Sequence, residues 1–144
     1  MQRVLDLALF EGCTRRERGL IDRLGTTVVL TQERQLCTQG ATGRQFVVIL
    51  DGEATVRRDG HVVASLHVGD CVGEIALLIE GPAAATVEAD AGTIVWVLSA
   101  DEFDTLIKGS PTVANRLDFL AVTRAATNAT SPVGTDLMPT VQIA

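Results

Sequence analysis

Through the middle of the chain, short apolar or alternating runs are cut at near-regular intervals by Gly25, Gly40, Gly52, Gly60, Gly69, Gly81 and Gly92. The runs are residues 26–30 (TTVVL), 34–38 (RQLCT), 45–50 (QFVVIL), 53–58 (EATVRR), 61–66 (HVVASL), 83–89 (AAATVEA) and 92–98 (GTIVWVL). Most are four to eight residues long and rich in β-branched side chains, which suit a pleated surface and predict strands. Asp51-Gly52 and Asp59-Gly60 sit between such runs, where Asp-Gly favours the positive φ angles of a hairpin turn. Several short strands at this spacing predict a mainly β fold, a β-sandwich or barrel.

The ends follow a helical period instead. Thr14 is placed to cap a helix, with Glu17 completing a capping box and Leu20, Ile21 and Leu24 on one face. Near the other end, Ser99 precedes Asp101 and Glu102, and Phe103, Leu106 and Ile107 fall at helical spacing. Pro111 suits the first turn of a second helix to about Ala126, with the stripe Val113, Leu117, Leu120 and Ala121. From Thr127 the chain turns to Thr, Ser, Pro, Gly and small residues without period. The expected layout is therefore one domain over residues 1–126 and a flexible tail over 127–144.

With 144 residues, 47% of them hydrophobic, the chain can bury one sizeable core. Aromatics make up only 3%, so Val, Leu, Ile and Ala must fill it. A formal net charge of −6 argues against a nucleic-acid surface, which needs clustered cations. No apolar run reaches the roughly 20 residues of a membrane span. The N-terminal MQRVLDLALFEG carries charges within its short apolar stretch, unlike a signal peptide. Cys13, Cys37 and Cys71 are odd in number and widely spaced, which suits reduced thiols and a cytoplasmic location.

The segment 68–89, VGDCVGEIALLIEGPAAATVEA, lies between the two halves of the strand region. A strand is expected to end at Val72, with a helical turn over 74–78 and a turn at Glu80-Gly81-Pro82. Free amides at a helix start favour anions, small residues admit a ligand to the backbone, and a carboxylate can accept from ligand hydroxyls. The same residues also fit a tight loop in which Glu74 caps its own helix.

The string V-G-E-I-A-L-L-I-E-G-P-A-A-A-T-V, residues 72–87, resembles the phosphate-binding cassette of the cyclic nucleotide-binding domain family, roughly F-G-E-(L/I)-A-L-L-x-x-x-P-R-(A/S)-A-T-V. That family includes regulatory subunits of cAMP-dependent protein kinase and cAMP-receptor-type transcription regulators. The resemblance extends over about residues 9–120, through LFEGCTRRERGLIDRL, LCTQGATGRQFVVILDGEATV and VLSADEFDTLI. It implies an antiparallel β-barrel or jelly roll (a double-stranded β-helix) with an N-terminal helix and two C-terminal helices, that Glu74 holds a ribose 2′-hydroxyl, and that Gly73, Ile75 and Ala76 belong to the amides around a cyclic phosphate. It further implies that Ala84, Ala85 and Thr86 finish the pocket. The family's phosphate-pairing Arg is replaced here by Ala83, and a usual turn glycine by Glu33. One charge-assisted hydrogen bond is worth about 1.5–3 kcal/mol, so the loss predicts roughly tenfold to a hundred-and-fiftyfold weaker binding. Arg124 shares the helical stripe of Val113 and Leu117. It would approach the pocket if that helix folds over the barrel, or else serve its helix end in solvent.

Other chemistries find less support. His61 and His67 lack further metal ligands, and no Ser sits in a nucleophile elbow. Cys71 could report redox state beside the cassette, or be a small buried hydrophobe. Arg15, Arg16 and Arg18 read as a solvated face, and the tail lacks Lys and Arg, so no direct DNA binding is expected. The expected function is a stand-alone, non-enzymatic sensor for cAMP or cGMP, with no required cofactor. A protein partner would read it, and the apolar stripe of the last helix is expected to pair with its mate in a homodimer. The alternatives are a degenerate fold serving protein interaction or assembly, and a pocket retuned for another small molecule.

Overall fold

The computed structural model describes residues 3–42, 45–78 and 81–130. Two 3-10 turns, Val4–Asp6 and Ala8–Phe10, lead into helix α1, Arg15–Asp22. The strands are β1 (Thr26–Val29), β2 (Arg34–Cys37), β3 (Gln45–Asp51), β4 (Ala54–Arg58) and β5 (His61–Leu66), then β6 (Cys71–Val72). Helix α2 (Glu74–Leu78) separates them from β7 (Thr86–Ala89) and β8 (Ile94–Ser99). Helices α3 (Ala100–Gly109) and α4 (Pro111–Thr130) follow. The described strands form two antiparallel four-stranded sheets, ordered β1-β8-β3-β6 and β2-β7-β4-β5, which is the expected jelly roll with its flanking helices.

The unbroken apolar run of β3 is explained by its two buried faces. Val47 and Ile49 face the second sheet with Val72 and Val95, against Ala54, Val56, Leu66, Val87 and Ala89. Phe46, Val48 and Leu50 face the helical layer with Trp96 and Leu98, against Phe10, Ile21, Phe103, Leu106, Val113 and Leu117. The few aromatics concentrate in this second core, where Phe10 meets Trp96 edge-on at 5.6 Å and Phe46 meets Phe103 at 5.0 Å.

Both Asp-Gly pairs mark chain reversals, but only one makes a hairpin. Arg58 pairs His61 across Asp59 (φ 53°) and Gly60 (φ 83°), the two left-handed residues of a type I′ turn. Asp51-Gly52 instead carries the chain from one sheet to the other, because β3 pairs with β8 and β6 while β4 pairs with β5 and β7. Both edges of β3 are taken, one by β8 and the other by β6, which leaves none for β4. The run 83–89 is a strand only from Thr86, since Ala83 exchanges backbone hydrogen bonds with the turn after β2, as Gly40 N to Ala83 O and Ala83 N to Ala41 O. Helix α4 continues four residues past its expected end, to Thr130, and residues 131–144 of the expected tail lie outside the described residues.

The helical layer is held by a buried carboxylate. Glu17 closes the expected capping box with Thr14, whose amide donates to Oε1 at 2.8 Å. The same carboxylate accepts from Ser110 Oγ at 2.6 Å, the Thr112 amide at 3.1 Å and Thr112 Oγ1 at 3.0 Å. Glu17 thus ties α1 to the junction of α3 and α4, and its pKa is lowered from 4.5 to about 2, chiefly by the Ser110 hydroxyl and then the Thr14 amide. We expect Glu17→Gln to cost about 2–3 kcal/mol, the worth of charge-assisted hydrogen bonds at a buried site. Because the folded carboxyl is the more acidic, its stabilisation is complete above pH 4.5 and is lost as pH falls towards 2. Urea midpoints across that range check this: the wild type should lose stability faster than Glu17→Gln, and parallel profiles would contradict it.

Candidate functional site

Strand β6 delivers Cys71 and Val72 to the foot of α2, pairing Val72 with Val47 and Cys71 with Val48. The chain then turns at Gly73 with φ 103°, and a Cβ there would run into the carbonyl oxygen of Gln45. Only glycine combines that backbone angle with so close an approach to β3. The turn sets Glu74 at the start of α2 with its side chain wholly buried.

Arg124, about three turns along α4 from Val113 and 2% exposed, meets that carboxylate. Its Nη1 donates to Glu74 Oε2, and also to the Cys71 carbonyl at 3.1 Å. Cys71 Sγ lies 3.7 Å from Glu74 Oε1 and 3.8 Å from Arg124 Nη1. Of the two placements the sequence leaves open for Arg124, the fold adopts the approach to the cassette from the lid side, since Val113, Leu117, Ala121 and Arg124 form one buried stripe of α4. The alternative placement in solvent at a helix end is not what the fold adopts. Burial pushes the Glu74 carboxyl above its ordinary value while Arg124, its own backbone amide and Cys71 pull against that. Arg124 is raised by Glu74 against the effect of burial, and the two side chains are in direct contact. Arg124 Nε is buried and has no hydrogen-bond partner among the described residues.

The second half of the cassette is sewn to the turn after β2. Besides the Ala83 bonds to Gly40 and Ala41, Thr86 Oγ1 accepts from the Gln39 amide at 2.9 Å and Cys37 Sγ donates to Ala85 O at 3.4 Å. Ala83 and Ala85 are buried and Ala84 half-buried. Gly73 and Glu74 stand at the start of α2 against β3 and α4, while Ala83, Ala84, Ala85 and Thr86 lead into β7 beside the turn after β2. Ile75 and Ala76 belong to α2 by their backbone, and their side chains lie outside the described set. The cation of the site comes from α4 and is held by Glu74. The Ala83 amide is taken by Ala41, so that donor serves the fold.

The thiols are kept protonated here. Burial pushes Cys37 up to about 11 and Cys71 higher still, which does not support the redox reading of Cys71. His61 opens β5 and His67 follows it, where its ring lies 3.4 Å from exposed Glu53. Sequence reasoning missed the Glu17 cluster, for which the only visible sign was a polar Ser-Pro-Thr at the junction of two apolar stripes.

The comparisons bear on the same segment. A family model described as the cyclic nucleotide-binding domain matches residues 27–110, which take in β1 to α3 and the whole cassette. Over 94 residues the chain is 35% identical to a cAMP-dependent protein kinase regulatory subunit of Mycosarcoma maydis, covering 62% of this chain and 18% of that protein. Over 89 residues it is 34% identical to a cyclic nucleotide-gated potassium channel of Rhizobium etli, covering 62% and 25%. The catabolite activator protein of Thermus thermophilus superposes with a TM-score of 0.72 at 26% identity, covering 84% of this chain and 59% of that one. The chain thus spans a quarter or less of the length of these two curated relatives.

Proposed function

The chain belongs to the cyclic nucleotide-binding domain family, and from that premise we propose that it is a non-enzymatic sensor for cAMP or cGMP whose signal is the packing of α4. The observation that carries this reading is the buried Glu74–Arg124 pair, which joins the cassette to α4 across otherwise apolar contacts. In the family the corresponding Glu holds the ribose. A ligand hydroxyl donating to Glu74 would therefore alter the group that anchors α4, and Arg124 Nε is a buried donor free to meet a ligand acceptor. Ligand affinity that differs between two α4 positions is all that coupling requires.

The lack of a cation at Ala83 favours a second reading, a domain that keeps the fold for protein interaction or takes a less anionic small molecule. Calorimetric titration of the purified chain with cAMP and cGMP tests the first reading. It predicts saturable, one-per-chain binding weakened in Glu74→Gln. Absence of heat in both the wild type and a variant with the Arg restored would overturn it.

We further propose a cytoplasmic homodimer through α4, on a face other than the expected one. Val113, Leu117 and Ala121 of the nominated stripe are wholly buried inside the chain, because α4 needs that face to cover α2 and α3. Phe119 and Val122, 74% and 56% exposed, lie on the outer face and are the residues free to meet a mate. Among the described residues no helix is long and apolar enough to cross a membrane.

A further inference from the structure

Helix α1 has a second stripe that the core does not use. Glu17 and Ile21 point inward, while Arg16, Gly19, Leu20 and Arg23 recur at i, i+3, i+4 and i+7 and share another face. Arg16, Leu20 and Arg23 line one wall of a cleft of about 350 Å³, and Thr105, Lys108 and Gly109 of α3 line the other. Leu20 lies across the contact because α3 offers it a glycine: a Cβ on Gly109 would collide with Leu20 Cδ2.

Two features of this cleft have no use inside the chain. The side chains of Arg16 and Arg23 are exposed and make no hydrogen bond or ion pair among the described residues, whereas Lys108 is paired with Asp104 at 2.8 Å. In a chain of net charge −6, the cations Arg15, Arg16, Arg18 and Arg23 fall within nine residues, with Glu17 between them buried in the Ser110–Thr112 cluster. The second feature is Gly19. A glycine inside a helix costs about 0.5–1 kcal/mol relative to alanine. Gly19 has an ordinary helical φ, and a Cβ there would meet only Arg23 Nη1 at an ordinary 3.8 Å. Nothing within the chain calls for glycine at this place, and a backbone approaching the helix from outside would.

We propose that the cleft between α1 and α3 is a docking groove for an acidic segment of a partner protein. Carboxylates of the segment pair with Arg16 and Arg23, an apolar side chain rests on Leu20, and the segment's backbone crosses α1 at Gly19. Charge complementarity selects an acidic peptide, and the apolar floor with the bare Gly19 selects a chain over a small anion. The proposal is independent of what the cassette binds.

Fluorescence anisotropy of the full chain with a labelled Glu-rich peptide carrying interspersed Leu tests it at low and moderate salt. Binding should be saturable in the wild type and weaken about tenfold or more in Arg16→Glu/Arg23→Glu. The charge-matched control Arg3→Glu/Arg34→Glu, also at exposed positions, should change it less than about threefold, the modest effect of remote charge. Gly19→Ala should raise the melting temperature yet weaken the peptide several-fold. No saturable binding, equal losses in both double variants, or unchanged peptide affinity in Gly19→Ala would each overturn the proposal. So would a chain that sediments with phosphatidylserine vesicles through Arg16 and Arg23 and ignores the peptide, an outcome that would assign the face to a lipid surface.

Discussion

Arg124→Ala is expected to cost about 3–5 kcal/mol of unfolding free energy, a large part of what a domain of this size has. Glu74 is wholly buried and Arg124 is 2% exposed, so truncating the arginine leaves a carboxylate in the interior with no counter-charge. The carboxyl escapes by taking up a proton, and its pKa should rise further from a value that burial has already raised. The Cys71 carbonyl loses its donor at the same time. Ala121 and Arg124 are the last buried side chains of α4 among the described residues, so the amides around them should exchange faster before the barrel unfolds. The double variant Glu74→Gln/Arg124→Met removes both charges at similar volume and should recover most of the loss. Urea unfolding of the two single variants and the double checks the coupling. A cost below about 1 kcal/mol for Arg124→Ala would mean that the pair contributes no more than a surface ion pair does.

Ala83→Arg carries the other large expectation, a gain in affinity for cyclic nucleotide of roughly tenfold to a hundred-and-fiftyfold, equivalent to about 1.5–3 kcal/mol. Position 83 has its backbone fixed by Gly40 and Ala41, so an introduced side chain would start from a defined place at the end of the cassette. A long Arg stem can lie along apolar surface while its head seeks the anion, which keeps the cost to the free protein small. Competition against a fluorescent cyclic nucleotide should give the gain, and lower it at high salt. Affinity within about twofold of the wild type would show that the pocket does not bring a phosphate to this position.

The legible parts of the fold were those written locally. Thr14 with Glu17, Ser99 with Glu102, and Asp59 with Gly60 are caps and a turn whose partners lie within three residues, and each formed as the sequence predicts. Asp51-Gly52 has the same local signature yet makes a crossing between sheets, because both edges of β3 are taken by β8 and β6, pairings that no local signature encodes. The cassette could be read as a string, and its Gly73 turn and the start of α2 at Glu74 form where that string puts them. What no string contains is the 50-residue separation between Glu74 and Arg124, or the 95 between Glu17 and Thr112. Helical phase put Arg124 on the stripe of Val113 and Leu117, but phase alone does not say which face a helix buries. The same ambiguity assigned that stripe to a dimer contact, while the exposed Phe119 and Val122 carried no signal apart from being apolar.

The claim that nucleotide is sensed through the Glu74–Arg124 anchor is tested most directly by amide hydrogen exchange along α4, with and without saturating cAMP, in the wild type and in Ala83→Arg. The account predicts that ligand changes exchange at and beyond Ala121 in both proteins, at lower nucleotide concentration in Ala83→Arg, and that Glu74→Gln abolishes the change. Saturating nucleotide that alters exchange around α2 and Ala83 but leaves α4 untouched would contradict it.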